Sequence, residues 1–559
     1  MRKFILCFFF QLVLCLPLVC TAEDIPETYE QQLDNGIINS EPLSYLLIRE
    51  SRETPPERKN ILKDALRYSP DLPAVYFELA KASLSYRPRS LFKSVDYTLQ
   101  GIAAYERNFW WTFMLASSLL MSLILSFVIA VFIIAIIRTI RDIPLLSHEI
   151  KEDRAKLLLL LVFVFSIFGP LYLLGSLLIL ISFYRRKWDR IVLYLYLIFL
   201  LCAPLVFKAV STIISAPTSA ALRAVIEVNE SRGNKYALSL LKDSKDRTEL
   251  FSYALALKRE GRYHDAIVAY RDLITSNPDS IIYNNLANCY VAINDIEGAK
   301  ELYAKAVGSK QLPSSLYNLS QVYRETLDFD KGDEFFLAAQ RLDSRAVSTY
   351  RAIASRHPNR FVVDESIPRD TLWRYSLNKA PSTTTMGLSI VPLLFMPGVA
   401  LVMIALFFIL DRQLKNRAYR CNRCGKILCN RCEKHILWGR MCLQCYRSLV
   451  KLDELDAKER ISRILTVYDH RKKKRNTIKL LSLILPGAGQ IYSGSIFSGL
   501  LFLWPFLFLL LTPVMNSIFM IEMSAFSHIW VNVLAVLLII FVYFISNVVT
   551  RRRIAKGWL

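Results

Sequence analysis

An all-α, polytopic membrane protein carrying a helical solenoid and a small metal-binding module is the architecture this sequence predicts. Three observations predict it: six long apolar runs, a 33-residue internal repeat, and three Cys-x-x-Cys pairs between residues 421 and 445. At 559 residues and 53% hydrophobic content the chain has room for several domains and is too apolar for an ordinary soluble protein. No clustered acid, base or nucleophile stands out, so the expectation is that the chain is not an enzyme.

The chain opens MRKFILCFFFQLVLCLPLVCTA. Two basic residues, an apolar run and small residues at Thr21 and Ala22 give the pattern of a secretory signal peptide over 1–22. Residues 23–108 then read as an extracytoplasmic helical segment, with helical runs at 57–67, 73–85 and 90–106.

A span needs roughly 20 apolar residues to cross about 30 Å of hydrocarbon. The runs at 109–137, 157–184 and 191–207 place a membrane region at 109–214. A transmembrane helix follows at 386–410, and a two-span C-terminal module covers 480–550 before the basic tail at 551–559. Residues 411–479 hold 20 Lys and Arg against 7 Asp and Glu, so the positive-inside rule puts them in the cytoplasm. That placement needs 157–184 to be re-entrant, turning back at Gly169-Pro170, and not a kinked full span. Residues 23–108 (11 basic, 14 acidic) and 215–385 (23 basic, 21 acidic) then face outward. The prediction is a multi-pass protein of a bacterial inner membrane with its repeats periplasmic and its cysteines cytoplasmic.

In 215–380 the repeats fall at about 247–280, 280–312 and 313–345. Ala266, Ala299 and Gly332 recur every 33 residues, and Tyr270, Tyr303 and Phe336 keep the same register. Gly261 and Pro278 sit where such a unit turns and ends, with Asn294 at the equivalent of the glycine turn position. This pattern resembles the tetratricopeptide repeat (TPR), and a fainter copy follows Pro70 with Tyr76, Leu79 and Ala80. The resemblance implies a concave groove that holds a protein or peptide. Asn284, Asn288, Tyr317, Gln321 and Arg324 are the expected groove-facing residues, offering paired donors and acceptors to an extended backbone.

The cysteine run CNRCGKILCNRC at 421–432 is followed by CLQC at 442–445. Cys-x-x-Cys lets one turn supply two of zinc's four thiolates. The run resembles the last three quarters of a FYVE-type finger, or more loosely a zinc ribbon. The resemblance implies that alternate pairs share a metal, so Cys421, Cys424, Cys442 and Cys445 would hold one zinc ion. Cys429 and Cys432, with His435, would form an incomplete second site. Four thiolates close the coordination sphere, so the 421–445 knuckle reads as structural, a docking surface for a cytoplasmic protein.

Residues 446–479 read as a basic amphipathic juxtamembrane helix. Arg471, Lys472, Lys473, Lys474 and Arg475 abut the next apolar run, where anionic lipid is a nearer partner than nucleic acid. PGAGQIYSG at 486–494 resembles the start of small two-span bacterial membrane modules. It lacks the lysine of a phosphate-binding loop, and its glycines suit close backbone approach.

The functional reading is a membrane-embedded scaffold or adaptor that binds protein partners for assembly or signalling of an envelope complex. The competing class is a transporter or channel accessory subunit. It is disfavoured by the scarcity of polar residues in the spans, where no buried charge pair of the kind that lines a transport path is visible. A zinc module that binds anionic lipid or nucleic acid is the other alternative.

Overall fold

The computed structural model describes residue 33 and residues 36–85, 87–149, 153–184, 187–216, 219–356, 362–379, 391–413, 418–429, 441–449, 457–519 and 529–556. The expected signal peptide at 1–22 lies outside these residues. The chain forms two compact units: one is built from residues up to 40 and 231–365, the other from 41–230 and 366–559.

The larger unit begins with four helices, α1 (Glu41–Glu53), α2 (Arg58–Tyr68), α3 (Pro73–Ser83) and α4 (Pro88–Arg107). Pro73 and Pro88 each occupy a first helical position, where the missing N–H costs nothing. Tyr76 Oη donates to the carbonyl of Pro70 at 2.9 Å and so ties the turn to the helix after it. Arg52 and Arg58 both reach the buried carboxylate of Glu78, at 3.0 and 2.8 Å.

Next comes α5 (Phe109–Glu149), whose 40 residues from Phe109 to His148 form the first candidate span. Helices α6 (Asp153–Ile167) and α7 (Pro170–Ser182) are separated by Gly169, whose φ of 125° no L side chain adopts comfortably. A continuous helix would place Leu161 and Phe183 about 33 Å apart at 1.5 Å per residue. Instead, Leu161, Val162, Ile179, Leu180 and Phe183 line one small apolar cavity. The chain therefore reverses at Gly169 into an antiparallel hairpin. Helices α8 (Ile191–Leu201) and α9 (Ala203–Ser215) form a pair bent by 64° at Cys202, and α10 (Ala220–Asn229) follows.

The smaller unit holds the repeats. After the short α11 (Lys235–Leu240) come three antiparallel pairs and a closing helix. The pairs are α12 (Arg247–Arg259) with α13 (Tyr263–Ser276), α14 (Ser280–Ala292) with α15 (Ile296–Ser309), and α16 (Pro313–Glu325) with α17 (Phe329–Leu342). The closing helix is α18 (Ser344–Arg356). Ala266, Ala299, Tyr270 and Tyr303 are fully buried, the small residues allowing the helices of a pair to touch and the rings filling the gaps. The three inter-helix turns need a left-handed residue at the same register, met by Gly261 (φ 77°), Asn294 (φ 64°) and Leu327 (φ 62°).

The chain rejoins the larger unit through α19 (Arg369–Asn378) and α20 (Met396–Gln413), a second candidate span. The cysteine module has β1 (Tyr419–Arg420), β2 (Ile427–Leu428) and α21 (Leu443–Leu449). After it come α22 (Ala457–Ile484), α23 (Ala488–Ser493), α24 (Ile496–Phe519) and α25 (Ile529–Ala555). Among the described residues, four helices are long and apolar enough to cross a membrane, or five counting the bent pair α8–α9 as one. Apolar residues of α5, α7, α8, α20 and α24 share one core, including Ala130, Tyr172, Tyr196, Met403 and Leu503.

Two expectations are corrected. The basic cluster 471–475 lies inside α22, which continues to Ile484, and Lys474 is half-buried where its neighbours are exposed. A buried charge pair is present: Arg138 donates to Asp142 at 2.8 Å one turn later on α5. Arg138 also donates to the carbonyls of Ile491 at 3.1 Å and Tyr492 at 3.0 Å, so it fastens the turn of PGAGQIYSG. Burying that guanidinium is tolerable because a carboxylate and two carbonyls replace its water.

Candidate functional site

The groove of the repeat unit contains a segment of the chain itself. Residues 362–365, Val-Val-Asp-Glu, run extended along the inner helices and are gripped at the backbone of Val363 and Glu365. Asn318 Nδ2 donates to the Val363 carbonyl at 2.8 Å, and Asn318 Oδ1 accepts from the Val363 amide at 2.7 Å. One repeat earlier Asn285 does the same to Glu365, donating to its carbonyl at 2.8 Å and accepting from its amide at 2.8 Å. The two asparagines stand 33 residues apart, and their targets two residues apart on one edge of the extended strand. Each carboxamide therefore replaces the partner strand that an isolated extended backbone lacks.

Side chains complete the clasp. Asp364 is held by Lys258 at 2.6 Å, with Arg259 at 3.9 Å, and all three side chains are more than 90% buried. Ser314 Oγ donates to the Glu365 carboxylate. Burial pushes the Glu365 carboxyl above its ordinary value, with the charge of Asp364 adding to the shift and the bond from Ser314 opposing it. Asn288 donates to Asp364 Oδ1 at 2.8 Å and to the Val363 carbonyl at 2.9 Å, and it accepts from Tyr303 Oη at 2.5 Å.

The expected partner-binding set is thus divided. Asn284 and Asn288 are fully buried, and both donate to the Val363 carbonyl, so they are not free to meet another protein. The sequence reading placed an outside ligand where the chain supplies its own. Tyr317, Gln321 and Arg324 lie beyond the clasp and line a cavity of about 320 Å³ with Phe336, Arg351 and Ala354. Arg324 stacks 5.0 Å from the Phe336 ring and pairs with Asp333 at 2.7 Å. Burial raises the Tyr317 phenol pKa, while Arg351 and Arg324 act in the opposite sense, so both guanidinium charges reach this cavity.

The residues that were not foreseen are Asn285, Asn318, Lys258 and Asp364. Asn285 and Asn318 did carry a signal, since both hold the same register of the 33-residue repeat.

The second site is the cysteine knuckle. β1 and β2 pair antiparallel, Tyr419 opposite Leu428 and Arg420 opposite Ile427, around a tight turn at Gly425 (φ 78°). That turn presents Cys421 and Cys424, while Cys442 and Cys445 come from the start of α21. The four sulfurs lie within 4.8 Å of one another, a set able to hold a metal ion. The Cys442 amide donates to the Cys421 sulfur at 3.4 Å. Burial works against the Cys421 thiolate, but amides of Cys442, Cys424 and Arg423 outweigh it and bring the thiol down to about 7. Burial pushes Cys442 up to about 11. Cys429 is buried and falls outside the four-sulfur group. Cys432 and His435 lie outside the described residues. His470 of α22 packs against Gly425, where an added Cβ would stand 2.3 Å from its Cε1.

Residues 250–280 and 281–311 each match the tetratricopeptide repeat. No curated protein matches the chain as a relative. Beside the four-cysteine group and several apolar helices, the chain thus carries tetratricopeptide repeats, which generally bind protein partners.

Proposed function

We propose that this tetratricopeptide repeat chain is a scaffold of a bacterial inner membrane, with its repeats on the periplasmic side and its knuckle in the cytoplasm. The leader at 1–22 directs export, and the hairpin at Gly169 returns the chain to the side it came from. On this reading the basic stretch 411–479 stays inside, as the positive-inside rule requires. The four cysteines hold one zinc ion, whose chemistry is structural: four thiolates leave no open position for water or substrate. Arg471, Lys472, Lys473 and Arg475 are exposed and face the anionic leaflet. The chain is not an enzyme. It assembles envelope components by binding one protein at the repeats and another at the knuckle.

The observation that carries this reading is the cavity at Tyr317, Gln321, Arg324, Phe336 and Arg351. Among the described residues it is the part of the groove beside the clasp that stays open. Two guanidinium groups and an aromatic wall suit an acidic, extended segment of a protein partner. Photo-cross-linking from position 321 in living cells tests it. A discrete protein adduct that disappears with Arg324→Glu and Arg351→Glu is expected. Adducts indifferent to both charge reversals would remove the partner-binding reading. Sidedness is tested separately: a membrane-impermeant thiol reagent should miss the knuckle in sealed cells and label it after permeabilisation and metal removal.

A further inference from the structure

Three cations and a histidine from three segments meet where α5 leaves its apolar stretch. Arg420 Nη2 of β1 donates to the Arg141 carbonyl at 2.7 Å, and the two guanidinium groups lie close enough to feel each other's charge. The Arg141 guanidinium lies 4.6 Å over the ring of Tyr492. On α22, His470 and Lys474 sit one turn apart on the face turned toward them. His470 feels the charges of Lys474, Arg420 and Arg141, and Lys474 feels Arg141 and Arg471.

Among the described residues these charges are only partly offset. Arg141 Nη1 and Arg420 Nε are buried nitrogens with no hydrogen-bond partner. Among the described residues Asp142 is the one carboxylate that reaches Arg141 and Arg420, and it is already bound by Arg138. Lys474, though half-buried, makes no ion pair among the described residues. Burial and then its cationic neighbours push its pKa down, and the same order of causes lowers that of His470. A cluster of like charges partly withdrawn from water is unfavourable unless an anion joins it.

We infer that Arg141, Arg420, His470 and Lys474 form a binding site for one phosphate group. Guanidinium forks and an ammonium arriving from different segments match the several acceptor oxygens of a phosphate better than the two of a carboxylate. The site begins one turn beyond Ile137, the last residue of the apolar run of α5, and Tyr492 contributes an aromatic ring beside it. That is the level at which the phosphodiester of a lipid headgroup lies. This site is separate from the exposed cluster of Lys472 and Lys473, and it does not depend on the scaffold reading.

The test uses the full-length protein in nanodiscs of phosphatidylglycerol or phosphatidylcholine, with native mass spectrometry of lipid retained after transfer to detergent. Thermal stability in detergent with millimolar inorganic phosphate forms a third arm. Wild type should hold phosphatidylglycerol at least tenfold more tightly than phosphatidylcholine. The pair Arg141→Gln and Lys474→Gln should lose that preference, whereas Lys472→Gln with Lys473→Gln, an equal change of charge on the exposed side, should keep it. Stabilisation by inorganic phosphate would show that the phosphate group alone suffices. Retention of phosphatidylglycerol without that stabilisation would assign the site to a lipid headgroup. Equal loss in both double variants, or no loss in either, overturns the proposal. Should the first pair fail to fold, Lys474→Gln alone decides by the same comparison.

Discussion

Asn318 and Val363 hold each other by both backbone groups: the carboxamide donates to the Val363 carbonyl at 2.8 Å and accepts from its amide at 2.7 Å. Replacing Asn318 with alanine takes the acceptor from the Val363 amide, while Asn284 and Asn288 still donate to the Val363 carbonyl. The expected loss of repeat-unit stability is about 1–3 kcal/mol, the cost of one unsatisfied, partly buried group. Hydrogen exchange reads it directly. The amide of Val363 should lose protection in Asn318→Ala, and that of Glu365 in Asn285→Ala, each with little effect on the amides of α12.

Glu365 gives the clasp a pH dependence of known sign. Its carboxyl is harder to ionise folded than unfolded, chiefly because it is buried. A carboxyl raised in this way stabilises the fold below its unfolded value and ceases to do so as pH rises through the folded value. Glu365→Gln keeps the acceptor for Ser314 and removes the charge. Urea unfolding of wild type and variant should therefore converge in acid, with the variant the more stable toward neutral pH. A difference that shrinks with rising pH would contradict the burial argument.

Leu327 occupies the turn position that Gly261 and Asn294 fill in the other repeats, with φ of 62° and its side chain 75% exposed. An L residue held left-handed costs roughly 1–2 kcal/mol, partly offset by the extra chain entropy of glycine. Leu327→Gly should therefore stabilise the repeat unit, by about 0.5–1 kcal/mol, since no buried contact is lost. Thermal unfolding followed by circular dichroism measures the gain.

Much of this was legible in the chain itself, for a physical reason. Small residues and rings every 33 positions must recur if successive helix pairs are to stack, and Ala266, Ala299, Tyr270 and Tyr303 are where that logic puts them. The clasp was not legible. Residues 284, 285 and 288 all lie on one helix, and period alone does not tell which amide side chain meets a strand. Nor does anything local in Val363-Asp364-Glu365 announce a groove ligand. The burial of Arg138 was equally hidden, because the carbonyls it serves, at 491 and 492, lie some 350 residues away in sequence.

The knuckle makes a stoichiometric prediction. Purified protein should carry about one zinc ion, lost in Cys421→Ser or Cys442→Ser and retained in Cys429→Ser. Elemental analysis distinguishes the three. Acidification should release the metal, since protons and zinc compete for the same sulfurs.

Gly487 and Gly499 allow α23 and α24 to touch. A Cβ at Gly487, where φ is 86°, would stand 2.3 Å from the Gly499 carbonyl oxygen. Gly487→Ala should lower the melting temperature of the detergent-solubilised protein by several degrees, at a cost of roughly 2 kcal/mol or more. Ser493→Ala, in the same turn, should change it by about 1 degree or less.

A clasp that grips main-chain atoms has an uneven tolerance for mutation. Position 363 contributes an amide and a carbonyl that nearly every amino acid carries and a side chain packed beside Leu316 and Tyr317, so apolar replacements there should be tolerated, with proline the conspicuous exception. The asparagines on the opposing helices have no such latitude, because neither aspartate nor leucine of similar size both gives and takes a proton bond. Sequence drift should therefore be freest at 363, while Asp364, the buried counter-ion of Lys258 and Arg259, persists together with the paired carboxamides 33 residues apart.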